Sequence, residues 1–250
     1  MRWRFSLHTE YSLCYSVVCS CGNYASKNNM VNLTELTLYH GSTAREVTPS
    51  YGLGDDRHDY GRGFYLTEDV QLAKEWAVCR PETMEGFVHA YRLTDPSLTL
   101  MDFTTLGPLA WMAELMKYRQ PNSSKRFRIL AERFVEKYGV NTDGYDLIRG
   151  WRANASYFYI VRSFMRDEVD VSILEELLSL GGLGIQYCLK TRRAFDAIKE
   201  LPDSPQSVDV AEFNARYNAR DAAARENMER LINGPSNPAL RVLSVLLDET

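Results

Sequence analysis

The stretch DYGRGFYLT, residues 59–67, sets glycines on both sides of Arg62 and runs straight into Phe64 and Tyr65. Gly61 and Gly63 remove side chains where a ligand's close approach would need the room, and the two-residue period of a strand puts Phe64 and Tyr65 on opposite faces. One aromatic can join a core while the other faces a cleft. Residues 62–67 therefore read as a short strand. Upstream, 36–40 reads as another, running into Tyr39-His40-Gly41-Ser42. Downstream, Thr67 caps a helix with Glu68 and Asp69 in its first turn and Val70, Ala73 and Ala77 along one face.

Beyond this seed, 87–93 alternates as a third strand, SLTLMDF after Pro96 gives a fourth, and two helices lie between 109 and 138, split by the turn QPNSS. Residues 145–150 read as a strand, 153–166 as helix or strand, and 169–180 as a helix stopped by Gly181 and Gly182. A strand at 185–190 precedes a helix from Thr191 to about Leu201. A helical tail at about 209–247 bends at NGPSNP and carries a Leu240, Leu243, Leu247 stripe. Short strands dispersed among helices without regular alternation indicate an α+β fold. The expected organisation is an extension at 1–29, a domain at 30–201 and the helical tail at 202–250.

With 250 residues, 45% of them hydrophobic, the chain can bury a substantial core, and its net charge of −4 argues against a broadly basic nucleic-acid binder. A local basic patch remains at Lys125, Arg126 and Arg128, interleaved by Phe127. The cysteines, Cys14, Cys19, Cys21, Cys79 and Cys188, are odd in number, and one residue separates Cys19 from Cys21 where a zinc knuckle has two. They read as reduced thiols, without a metal, in a cytoplasmic protein. Arg2 and Arg4 precede apolar residues, but His8, Thr9 and Glu10 interrupt them, and no run is long enough to span a membrane. The acidic pairs Asp55-Asp56 and Glu175-Glu176 read as solvated, and LGGLG at 180–184 as a helix stop. Ser42, Ser163 and Cys188 lack the surroundings of a nucleophile elbow.

Tyr39-His40-Gly41-Ser42, then Gly61 to Thr67, then Trp76 eleven residues past Tyr65, together resemble the ADP-ribosyltransferase superfamily. The match is to its histidine-tyrosine branch, which includes diphtheria toxin and the poly(ADP-ribose) polymerases. Within it the chain is similar to small bacterial members long catalogued as a domain of unknown function and associated with toxin–antitoxin pairs. The resemblance covers roughly 36–201.

It implies split mixed and antiparallel sheets with flanking helices, and NAD as substrate. His40 would hydrogen-bond the nicotinamide-side ribose, Gly41 would pair its backbone with the carboxamide, and Tyr65 would stack on the nicotinamide. Trp76 stands where the family commonly has a second tyrosine. The family's last triad residue, usually glutamate, falls on Gln186 in GIQYCLKT. Glutamine can orient a ribose hydroxyl but brings no charge, which weakens activity by about one to two decades. Catalysis is thus assigned to His40, Tyr65 and Gln186. NAD binding is assigned to His40, Gly41, Ser42, Arg62, Gly63, Tyr65 and Trp76, with Arg62 on a pyrophosphate or simply solvated. The implied function is a mono-ADP-ribosyltransferase acting as an intracellular bacterial toxin, of toxin–antitoxin or anti-phage type, on a protein or nucleic-acid acceptor. An antitoxin or chaperone would bind the tail. The alternative is a catalytically inactive module that binds NAD or ADP-ribose.

Overall fold

The computed structural model describes residues 32–119, 124–153, 155–180 and 184–247. The extension expected at 1–29, with three of the cysteines, lies outside them. The strands are β1 (Leu38–Ser42), β2 (Phe64–Leu66), β3 (Phe87–Leu93), β4 (Leu100–Asp102), β5 (Leu147–Trp151), β6 (Ile185–Leu189), β7 (Ile198–Glu200) and β8 (Gln206–Ser207). The longer helices are α1 (Val70–Ala77), α2 (Phe103–Leu106), α3 (Pro108–Tyr118), α4 (Lys125–Tyr138), α5 (Ala155–Met165), α6 (Val171–Ser179), α7 (Arg192–Ala197), α8 (Val210–Ile232) and α9 (Val242–Leu247).

The fold is α+β, with the strands split between two sheets. In the first, β3 lies between β1 and β7 and also pairs with β8, all antiparallel. In the second, the order is β2-β6-β5-β4, with β4 and β5 parallel and the other pairs antiparallel. The sheets meet at one bridge: Tyr39 N donates to Thr67 O at 2.7 Å and Thr67 N to Tyr39 O at 2.9 Å. This junction sets His40, next to Tyr39, beside Tyr65, two residues before Thr67.

Two local expectations change and an open one is decided. Asp69, not Thr67, caps α1, its Oδ1 accepting from Gln71 N at 2.8 Å and Leu72 N at 3.3 Å. Thr67 instead donates its hydroxyl to Ile185 O at 2.8 Å, stapling β2 to β6. The helix opened by Thr191 ends at Ala197, because buried Ile198 and the next two residues pair with β3 as β7, which satisfies their backbone groups on a sheet edge. The ambiguous segment after residue 153 is the helix α5.

The helical tail packs onto the same core as the rest. Ala224, Met228 and Leu231 of α8, with Val242 and Val245 of α9, join the cluster built on Trp111, Phe134 and Phe164. Leu240 and Leu243 pack against that cluster, and Leu247 stays exposed. A buried ion pair also docks α8 on α1: Arg220 grips Glu75 with two hydrogen bonds of 2.9 Å each, and the Glu75 side chain is only 3% exposed.

The glycines of the opening motifs are demanded by neighbouring protein. A Cβ on Gly41 would sit 1.9 Å from Ala73 O and 2.7 Å from Ala77 N, so β1 touches α1 backbone to backbone. One on Gly63 would meet Cys188 Sγ at 2.3 Å. Gly41→Ala is expected to cost about 3 kcal/mol through overpacking, read as a shift of the denaturant midpoint; an unchanged midpoint would refute the contact.

Candidate active site

His40 sits within β1, opposite His89 in the register. Its ring stacks on Phe64 with centroids 4.5 Å apart, and its Nδ1 lies 2.8 Å from the carbonyl oxygen of Tyr65. A carbonyl only accepts, so Nδ1 carries the hydrogen and Nε2 keeps its lone pair. Among the described residues, none bonds to Nε2, which is therefore an acceptor offered to a ligand. Burial lowers the pKa of His40 below the ordinary 6.5, opposed by the Tyr65 carbonyl and aided by nearby His89. The imidazole is neutral at neutral pH.

This fixes the sign of a pH effect. The folded state binds the His40 proton more weakly than the unfolded chain does, so its contribution to stability is complete above 6.5 and is lost as pH falls through the folded value. Protonation also removes the Nε2 acceptor. Ligand affinity should be level through neutrality and fall on acidification, measurable by calorimetry between about pH 5 and 8; affinity rising in acid would contradict it.

His40 lines a cavity of about 680 Å³, a size suited to a nucleotide-scale ligand. Gly41, Gly63, Tyr65, Trp76 and Gln186 line it too, so residues from β1, β2, α1 and β6 converge on one hollow. The loop 47–58 forms one side, contributing Arg57, whose guanidinium pairs with exposed Asp55 at 3.0 Å, and His58.

Two assigned residues lie elsewhere. Arg62 is exposed and outside the lining, and Ser42 Oγ accepts from Ala44 N at 3.0 Å in a local turn. The basic stretch is also absent from the lining: Lys125, Arg126 and Arg128 are exposed while Phe127 is buried in the core, so Phe127 does not interleave them at the surface.

Tyr65 is held rigidly. Its hydroxyl donates to Gly61 O at 2.6 Å and accepts from Tyr60 N at 3.0 Å, and His58 meets its ring edge-on at 5.4 Å. Burial pushes its pKa far up, so it stays a neutral phenol. Cys188, its partner across the strands, is fully buried and its thiol is pushed up to about 12, which leaves it inert. Trp76 differs from the open stacking face expected of it, because the Arg152 guanidinium lies 4.6 Å from its ring centre. A flat ring entering between Tyr65 and Trp76 must share that face with a cation or displace it.

Gln186 is buried, with 3% exposure. Its Nε2 donates to Asp59 Oδ2 at 2.8 Å and lies 3.3 Å from Trp151 O. That fixes the amide's orientation, and among the described residues none donates to Oε1. Asp59, the first residue of the opening stretch, is a hub that the sequence reading passed over. Besides Gln186, it accepts from Arg119 Nη1 at 2.7 Å and from Ala153 N at 2.8 Å, at 7% exposure. A negative charge thus stands directly behind the uncharged amide. Arg119 also donates to Ala153 O and stacks on Phe158 at 4.4 Å. Asp59 was visible as part of the motif; Arg119, Arg152 and Tyr217, which also line the cavity, had no signal because each arrives from a distant segment.

Among the described residues, no three His, Cys, Asp or Glu side chains are grouped to hold a metal, and no helix is long and apolar enough to cross a membrane. The chain matches no curated protein and no solved structure. A family described as "Protein of unknown function (DUF3990)" matches residues 36–199, from just before β1 into β7. That span holds the strands bearing His40, Tyr65 and Gln186, and the chain therefore belongs to the DUF3990 family.

Proposed function

We propose that the protein is an NAD-dependent mono-ADP-ribosyltransferase that modifies a protein or nucleic-acid acceptor as an intracellular bacterial toxin. The supporting observation is that His40, Tyr65, Trp76 and Gln186, from four separate elements, line one cavity of suitable volume. In the reaction, the bond between nicotinamide and ribose C1 breaks with its electron pair leaving on nicotinamide, an acceptor lone pair closes on C1, and the acceptor's proton passes to solvent.

The chain's own residues have distinct parts. His40 Nε2 accepts from a ribose hydroxyl, and Gln186 Oε1 orients the sugar, its amide held by Asp59. The Asp59 carboxylate adds the negative charge that glutamine lacks, at one hydrogen bond's remove, favouring positive charge developing at C1. Tyr65 gives the leaving ring a fixed wall.

Incubation of the full chain with NAD labelled in its adenylate half, in a bacterial lysate, tests this: label is expected on macromolecules, and nuclease or protease treatment identifies the acceptor class. The second reading, a binding module without turnover, is favoured by the uncharged Gln186 and by Arg152 on the face of Trp76. NAD binding with neither labelled product nor released nicotinamide would select it. A toxin role further requires that induced expression arrest growth and that a co-expressed antitoxin or chaperone restore it; growth unaffected by an active enzyme would reject that role alone.

A further inference from the structure

Helix α8 lies outside the matched span of the family, yet it supplies Tyr217 to the cavity wall. Tyr217 interacts electrostatically with Arg152, the residue just after β5, which in turn lies on Trp76 of α1, and all three line the cavity. These three share an unusual condition. Arg152 is enclosed enough for burial to lower its pKa, although as arginine it remains a cation. Among the described residues, its guanidinium has no acidic partner in contact and no hydrogen-bond acceptor, only the Trp76 ring. Trp76 Nε1 is buried without an acceptor. The Tyr217 hydroxyl likewise has no hydrogen-bond partner among the described residues, and burial raises its pKa, so it keeps its proton.

The other cavity cations are already matched, Arg57 by Asp55 and Arg119 by Asp59. The Arg152 charge is therefore balanced only at longer range, by Asp59 that already pairs with Arg119, in a chain whose net charge is −4. A buried donor without an acceptor is rare in folded proteins and calls for an explanation; Trp76 Nε1 is one, and the half-buried Arg152 and Tyr217 stand beside it. Here, donors from three elements surround one corner of a hollow.

We infer that the Trp76–Arg152–Tyr217 corner is an oxyanion subsite that takes a phosphoryl group. A phosphoryl centre offers oxygens in several directions, which suits a guanidinium fork plus a phenol and an indole better than the two coplanar oxygens of a carboxylate. The phosphoryl group comes either from a dinucleotide's pyrophosphate or from the backbone of a nucleic-acid acceptor. Binding would draw the guanidinium from the Trp76 face and leave that face to a flat ring. The clasp between Arg220 and Glu75 holds α8 against α1, so Tyr217 joins the subsite only with the tail docked.

Calorimetry on the full chain with inorganic pyrophosphate, ADP-ribose, adenosine and a single-stranded oligonucleotide tests this. Arg152→Gln should weaken pyrophosphate binding about ten- to hundredfold, the loss of one charged hydrogen-bonded contact, and leave adenosine unchanged. Tyr217→Phe should weaken it by less, and thermal unfolding of both variants checks that the fold survives. If ADP-ribose weakens in parallel, the dinucleotide is the source; if only the oligonucleotide does, the acceptor is. Pyrophosphate, ADP-ribose and oligonucleotide affinities all unchanged in a folded Arg152→Gln variant would overturn the subsite. So would weakening of every probe, adenosine included. Pyrophosphate binding that depends on Arg152 in a protein that never cleaves NAD upholds the subsite while rejecting the transferase reading.

Discussion

Asp59→Asn is expected to destabilise the protein by about 3 kcal/mol, because it strips the countercharge from Arg119 in a largely buried setting. The size follows from donor and acceptor counts. The carboxylate accepts from Arg119, Ala153 N and Gln186 Nε2. An asparagine in its place has one accepting oxygen and turns an NH2 group toward donors, so at least one of the three loses its partner. A denaturant curve measures the loss. The negative charge behind Gln186 would go as well, so any turnover should fall further than the folded fraction explains. A variant with unchanged stability would remove Asp59 as the hub of the site.

On the proposed transferase reading, His40→Ala is expected to reduce NAD cleavage about a hundredfold or more, since the acceptor assigned to the ribose is gone and small misplacements at a reacting centre are costly. Released nicotinamide, followed by chromatography, is the readout. The fold should survive better than in the Asp59 variant, because the Nδ1 bond to Tyr65 O is a single neutral one, worth about 1 kcal/mol. The two substitutions thus separate: one acts chiefly on stability, the other chiefly on turnover. A His40→Ala variant with the activity of the native chain would take His40 out of the reaction.

The strand with its flanking glycines was readable because its period and its glycines are local properties, but the reason for those glycines was not. Gly41 and Gly63 look like places for a ligand to approach; in the fold, the backbone of α1 and the Sγ of Cys188 take that room. The cap of α1 shifted for a similar reason. Thr67 and Asp69 are both good caps in isolation, and the choice fell to Asp69 once Thr67 had a partner on β6.

The sequence by itself determined the α+β class and most of the strands, because alternation and glycine placement are written along the chain, and the family resemblance singled out His40, Tyr65, Trp76 and Gln186, which the fold gathers at one cavity. Only the tertiary structure decided what surrounds them: Asp59 behind Gln186, Arg152 on Trp76, and Tyr217 brought in by a helix that reads as a separate tail. Those contacts join residues up to about 140 positions apart, and charge pairing and burial across such separations depend on how elements pack, which no local pattern encodes.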